Sequence, residues 1–195
     1  MIDEFKTIKD KSEGTYSELR SKFLAFAHHV TTVDEAMALV EQYQKKYYDA
    51  RHVCWAYMIG PERETFRSND NGEPSGTAGK PILGQINSNE LTDIIILVVR
   101  YFGGVKLGTS GLIVAYKTAA AEAIANAEIE TRTVDEEYTF SFEYPLMNSI
   151  MKVARDMDAR IISQSYDMDC QMTLSIRRGK MQELQEKIKK ALSPF

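Results

Sequence analysis

Two glycine-rich segments combine a flexible backbone with side chains that can hold an anion. Residues 70–80 offer two carboxylates, two hydroxyls and three glycines, whereas residues 100–111 offer an arginine, a lysine and the hydroxyls of one threonine and one serine. Glycine tolerates positive φ, and the exposed amides of a helix start attract negative charge. The second segment therefore predicts an anion site, with these candidate residues: Arg100, Gly103, Gly104, Lys106, Gly108, Thr109, Ser110 and Gly111.

The charge pattern supports this choice. The chain has a formal net charge of −4, yet residues 94–121 contain no Asp or Glu. We predict phosphate contacts from Arg100 and Lys106 and from the backbone amides of residues 109–111, and such contacts weaken with salt. Three further residues extend the patch if their strands lie beside it: Arg51, His52 and Arg67.

A purely architectural role for the second segment remains open, because its glycines could serve only a tight strand-to-helix turn. The spacing from Gly103 to Gly108 resembles half of a P-loop, but Thr109 stands where that motif needs lysine. A dinucleotide-binding Gly-x-Gly-x-x-Gly motif is also absent from the sequence.

The first segment has its own candidates. Asp70 and Glu73 could act as acid and base or bind a metal, or they could only form turns. The remaining candidates of this segment are Ser75, Gly76, Thr77 and Gly79. His52 and Cys54, two apart on a strand, could form a nucleophile pair, against the alternatives of a structural histidine and a buried thiol. The histidine spacing matches no metal-ligand pattern, so we predict no metal site. We also predict no cofactor.

Apolar periodicity predicts the elements that position both segments. Residues 94–102 are apolar on both faces, which predicts a central strand, and a helix capped by Thr109 or Ser110 follows. Thr32 and Glu35 form a capping box before another helix that ends near Asp49. The remaining predicted elements here are strands 22–30, 52–59 and 65–68 and a short helix 81–86.

The C-terminal third has a different pattern. Apolar residues alternate with polar ones over 134–144, which predicts a half-buried strand. A helix from Met147, strands 159–166 and 168–177 and a helix from about Gly179 follow. This β-α-β-β-α order is that of a split βαβ sandwich. We therefore predict an α+β protein of two domains, 1–131 and 132–195.

Composition and short sequence patterns argue against a disordered chain, a membrane-spanning protein and a secreted, disulfide-rich protein. Of 195 residues, 44% are apolar and 27% charged, as in ordinary globular chains. The longest strongly apolar run, residues 94–99, is far shorter than the roughly 20 residues of a membrane helix. The N-terminus lacks a signal-peptide pattern, and two cysteines without a Cys-x-x-Cys spacing fit a reducing compartment. We expect a cytoplasmic protein without membrane contact.

Three stretches resemble the IMPACT/YigZ family: Arg51-His-Val-Cys-Trp-Ala-Tyr57, residues 70–83, and above all Arg100-Tyr-Phe-Gly-Gly-Val-Lys-Leu-Gly108. The resemblance extends over nearly the whole chain. It implies an N-terminal fold like domain 2 of ribosomal protein S5. It also implies a ferredoxin-like C-terminal domain similar to a C-terminal module of elongation factor G.

The resemblance implies a function in translation. Eukaryotic members of the family regulate translation through an initiation-factor kinase, and they carry an extra N-terminal protein-binding domain. The leading hypothesis is a regulator that binds RNA or the ribosome through the cationic glycine-rich loop. An enzyme acting on a phosphorylated small molecule is an alternative, since small-molecule kinases share the S5-like fold. A third is a protein-binding module with a translation factor as its partner.

Overall fold

The structure is a computed structural model that describes residues 1–193. Over that range the chain forms ten strands: β1 (Glu4–Ile8), β2 (Ser12–Glu18), β3 (Ser21–His29), β4 (His52–Ile59), β5 (Thr65–Asn69), β6 (Ile94–Tyr101), β7 (Ile129–Thr133), β8 (Asp135–Phe142), β9 (Arg160–Tyr166) and β10 (Cys170–Arg177). It also forms five α-helices: α1 (Val33–Lys46), α2 (Gly79–Ser88), α3 (Gly108–Ala125), α4 (Met147–Asp156) and α5 (Met181–Leu192). The described range contains no helix long and apolar enough to cross a bilayer.

The chain divides into two compact units, which confirms the predicted two-domain α+β class. One unit is Phe5–Arg132, and the other combines Met1–Glu4 with the chain from Thr133 onward. The sequence pattern does not assign the first four residues to the second unit. Their placement follows from an ion pair in which Arg177 Nε donates to Asp3 Oδ2 at 2.7 Å.

The larger unit is built on a five-stranded antiparallel sheet in the order β2-β3-β6-β4-β5. The central strand β6 is apolar on both faces because both faces are covered. Ile95, Leu97 and Val99 pack with α1 on one side. Ile94, Ile96 and Val98 pack with α2 and α3 on the other. The predicted central strand is thereby confirmed, and Arg100 continues the face that α3 covers.

Three strands, β1, β2 and β7, were not predicted. β2 is an edge strand with only one large apolar side chain, Tyr16, and β1 and β7 form a separate two-stranded ribbon. The prediction that Thr109 or Ser110 caps α3 is wrong, since the helix begins at Gly108 with Leu107 at its N-cap and no side-chain cap bond. By contrast, Thr32 caps α1, accepting from the Glu35 amide at 3.1 Å.

In the smaller unit a three-stranded antiparallel sheet has the order β8-β10-β9. β8 and β9 are joined through α4 and have β10 between them, which is the split βαβ arrangement. The predicted β-α-β-β-α order is confirmed. The alternating apolar residues face α4 and α5 in a core that contains Phe140, Ile150, Met172, Leu174 and Leu184.

Candidate functional site

The two glycine-rich segments meet in one cleft of about 490 Å³ in the larger unit. The first segment contributes Glu73 and Pro74, and the second contributes residues 106–109. β4 and β6 supply the remaining polar wall. The lining residues are Arg51, His52, Glu73, Pro74, Arg100, Phe102, Lys106, Leu107, Gly108, Thr109 and Leu112. The volume is in the range of small-ligand sites.

Sheet register brings His52 and Arg100 together. The two residues are direct cross-strand partners in the antiparallel β4–β6 pair. Side chains alternate between the faces of a strand, so both lie on the face that α3 covers. The Arg51 amide also donates to the Arg100 carbonyl at 3.2 Å. The ends of two buried strands therefore fix the positions of these polar groups.

Arg100 is neutralised within the protein, which corrects its predicted role as a phosphate ligand. Its Nη1 donates to both carboxylate oxygens of Glu73, at 2.7 and 2.8 Å. Arg100 is only 5% exposed and Glu73 8%. The guanidinium also lies over the rings of Phe23 and Phe102. Among the described residues, its buried Nε–H has no hydrogen-bond acceptor.

Glu73 also accepts hydrogen bonds from two further groups. The Tyr116 hydroxyl donates to its Oε2 at 2.8 Å, and His52 Nε2 lies 3.0 Å from its Oε1. His52 Nδ1 lies 2.7 Å from the Asn71 carbonyl oxygen, which can only accept. Both ring nitrogens therefore face acceptors.

Cys54 and Tyr116 continue this network into the core and are unsuited to nucleophilic chemistry. The Cys54 thiol donates to the Asp70 carbonyl at 3.0 Å and contacts the Tyr116 hydroxyl at 3.4 Å. Burial raises the pKa of Cys54 far above its usual value, and burial likewise raises the pKa of Tyr116. Since the thiolate is the reactive form, the buried-thiol alternative for Cys54 agrees with the structure.

Asp70 organises the first glycine-rich segment. Its carboxylate accepts from the amides of Gly76 at 2.9 Å, Ala78 at 3.2 Å and Gly79 at 2.8 Å. Burial raises the pKa of Asp70, but the three backbone donors outweigh burial and hold the pKa below its usual value. A carboxylate engaged in this way is not a free acid, base or metal ligand. The same holds for Glu73, so both predicted chemical roles are corrected.

The other residues of the first segment are architectural. The Thr77 hydroxyl donates to the Pro74 carbonyl. A Cβ on Gly79 would lie 2.7 Å from the Asn69 backbone nitrogen, so only glycine fits there. Gly76 has a φ of +78°. None of Ser75, Gly76, Thr77 and Gly79 lines the cleft.

In the second segment the glycines allow close backbone approach and positive φ, while the amides at the start of α3 remain unpaired. A Cβ on Gly103 would lie 2.1 Å from the Arg20 carbonyl carbon, and Gly104 has a φ of +89°. Within the described residues, the amides of residues 108–110 have no hydrogen-bond acceptor. Gly108 and Thr109 line the cleft, whereas Ser110 and Gly111 line a neighbouring depression.

Two exposed cations, Arg51 and Lys106, line the cleft without a carboxylate partner among the described residues. The Arg51 guanidinium lies 5.2 Å from the Phe102 ring centroid. Arg67 does not belong to this patch, which corrects its prediction. It lies over Trp55, whose side chain packs on the α1 face of the sheet.

Sequence reasoning missed Tyr116, Asn71 and Phe102. Apolar periodicity alone places Tyr116 on the buried face of α3, whereas its hydroxyl reaches Glu73. Asn71 orients His52 through its carbonyl and accepts from the Val53 amide through Oδ1 at 2.8 Å. The sequence offered one signal for these missed residues, which is the aromatic side chain of Phe102 directly before the glycine pair Gly103-Gly104. No cluster of three metal-ligating side chains occurs within residues 1–193.

Comparisons with known proteins identify relatives of this chain. The Impact N-terminal domain matches residues 19–124. The chain is 33% identical over 171 residues to the IMPACT family member YigZ of Escherichia coli (strain K12), covering 87% of this chain and 84% of that protein. A crystal structure described as a hypothetical protein is 30% identical and covers 100% of this chain and 95% of that one, with a TM-score of 0.73. The structure of the two-domain translational regulator Yih1 is 25% identical, covering 63% of this chain and 47% of that one, with a TM-score of 0.37.

Proposed function

The chain belongs to the IMPACT family, and from that premise we propose that it regulates translation by binding phosphate groups of RNA, free or within the ribosome, in the cleft. Control of translation is what the family resemblance implies. On the same grounds we propose that the protein is cytoplasmic. We also propose that its N-terminal domain resembles domain 2 of ribosomal protein S5 and that its C-terminal domain resembles the C-terminal module of elongation factor G.

The unpaired amides at the start of α3 are the observation that carries this proposal. They lie beside Lys106, and Lys106 and Arg51 have no carboxylate partner in the described chain. Unpaired amides and the helix dipole favour an anion. With Arg100 counted, the lining has three fixed cations against the single carboxylate of Glu73. Arg100 acts by positioning Glu73 and Phe102, not by contacting phosphate.

Single-stranded RNA binding measured against salt tests this proposal. Lys106→Gln should weaken binding and lower the slope of log K against log salt by about 0.7, as expected for one phosphate contact. Arg67→Gln is the matched control, because it removes an exposed cation from the other face of the sheet. Absence of binding at low salt, or equal effects of both variants, would contradict the proposal. In a cell-free translation reaction, only Lys106→Gln should lose the effect of the added protein.

An enzyme acting on a phosphorylated small molecule is the second candidate. The specific observation is the cleft of about 490 Å³ itself, in which the unpaired amides at the start of α3 and the exposed Arg51 and Lys106 can hold a phosphate group. Nucleotides and sugar phosphates should raise the melting temperature if they bind there. Product analysis of the same mixtures then separates turnover from binding. A screen without any stabilising compound removes this candidate.

A further inference from the structure

The cleft has more positive charge than a single RNA backbone phosphate would balance. Arg51, Arg100 and Lys106 carry three fixed charges and Glu73 carries one of opposite sign, which leaves a net +2. A phosphodiester contributes −1, whereas a phosphomonoester carries about −1.5 to −2 at pH 7. The excess charge therefore favours a terminal phosphate.

Exposure decides which charges a ligand meets. The side chain of Glu73 is 3% exposed and that of His52 is 17% exposed. Arg51 and Lys106 are exposed. An entering anion therefore meets the two exposed cations, while the one carboxylate stays covered by its partners Arg100, His52 and Tyr116.

The number of donors supports the same ligand chemistry. The amides of Gly108 and Thr109 are unpaired and line the cleft, and the Thr109 hydroxyl has no partner among residues 1–193. Lys106 adds an ammonium group. A terminal phosphate offers three oxygens to such donors, one more than a diester. It also projects from the end of its molecule, so it can enter a cleft whose inner wall is the buried pair of Arg100 and Glu73.

The rest of the cleft suits a flat, partly apolar group. Phe102 is exposed beside the Arg51 guanidinium, and Pro74, Leu107 and Leu112 complete the apolar wall. Aromatic rings and guanidinium planes are the side chains on which nucleobases stack. The volume of about 490 Å³ is in the range of sites for ligands of nucleotide size.

We infer that the cleft recognises a nucleoside phosphomonoester, with the phosphate at the start of α3 beside Lys106 and the base against Phe102. The inference rests on the proposed function, since it specifies which phosphate of an RNA the same cleft takes. The same chemistry occurs in the 5′-phosphorylated end of an RNA and in a free nucleotide. Internal backbone phosphates are then secondary ligands.

Two eight-nucleotide RNAs of one sequence, with a 5′-phosphate or a 5′-hydroxyl and a fluorophore at the 3′ end, test the inference by fluorescence anisotropy. The full-length protein should bind the 5′-phosphorylated RNA about tenfold more tightly. Lys106→Gln should remove that preference, and Arg67→Gln should keep it. A second variant, Thr109→Val, should reduce the preference without altering the melting curve. Adenosine monophosphate is added as a competitor, to separate an RNA end from a free nucleotide.

The outcomes separate the inference from the proposed function. Equal binding of both RNAs, still weakened by Lys106→Gln, overturns the inference and leaves RNA binding intact. Binding of adenosine monophosphate that depends on Lys106, without binding of either RNA, supports the phosphomonoester site and overturns the RNA function. Failure of both RNAs and of the nucleotide to bind overturns both.

Discussion

Breaking the buried ion pair of Arg100 and Glu73 should destabilise the protein more through one partner than through the other. Glu73→Leu leaves the Arg100 guanidinium buried without its carboxylate and also leaves the Tyr116 hydroxyl without its acceptor. Removing one partner of a buried pair costs about 3–5 kcal/mol. Arg100→Leu should cost less, about 2–3 kcal/mol, because Tyr116 and His52 still contact the Glu73 carboxylate.

The double variant measures the coupling between the two side chains. With both groups gone, no buried charge is left uncompensated, so the loss should fall about 2 kcal/mol short of the sum of the single losses. Trp55 is the sole tryptophan of the sequence and is 2% exposed in β4. Its fluorescence during urea unfolding reports on this sheet, and the free energy of unfolding follows by linear extrapolation.

Lys22→Leu is the control for this cycle, because it removes an exposed cation from the adjacent strand β3. Its effect should stay within about 0.5 kcal/mol, as for ordinary surface substitutions. If the two single losses add up to the loss of the double variant within about 0.5 kcal/mol, the predicted coupling is refuted, because independent sites behave in that way. Arg100 and Glu73 would then be separate polar groups, not a coupled pair.

Three further predictions concern the loops and the pH dependence. Gly103→Ala should cost at least about 2 kcal/mol of unfolding free energy in urea, because its Cβ meets the Arg20 backbone, whereas Gly104→Ala should cost about 1 kcal/mol for its positive φ alone. Asp70→Asn should cost about 1–2 kcal/mol in urea unfolding at pH 7, and the difference should shrink as the pH falls from 3.8 through the lowered folded pKa of Asp70, because the wild-type carboxylate is then protonated. Burial and Lys11 lower the pKa of His28 from 6.5 to about 4, so stability should be complete above pH 6.5 and fall as the unfolded chain takes up a proton. Urea titrations from pH 8 to 4 should show a loss of about 1–2 kcal/mol, given the partial exposure of His28, and His28→Gln should flatten it.

Local patterns in the sequence were sufficient to predict most of the helices and strands. The two-sided apolar run of β6 indicated a central strand, and the alternation in β8 indicated a half-buried one. Hydrophobic periodicity and turn residues are local signals, so they can be read without knowing the fold. β2 was missed because an edge strand of polar residues has almost no such signal.

The candidate site depends on contacts that local sequence patterns do not predict. The sequence indicated two glycine-rich segments, a cation-rich stretch and an open helix start, and these features lie in or beside one cleft. It did not indicate that Arg100 is neutralised by Glu73, a residue 27 positions away, or that Tyr116 completes the pair. It also placed Arg67 in the patch, although strand alternation directs that side chain to the other face.

The amino-acid sequence by itself determined which segments are strands, helices and tight turns, since each depends on neighbouring residues. The tertiary structure decided which cations remain available to a ligand. Lys106 and Arg51 are exposed, whereas Arg100 is bound to a carboxylate. The reason is that a charge is neutralised or left free by groups distant in sequence, which come together only through strand register and the packing of α3 on the sheet.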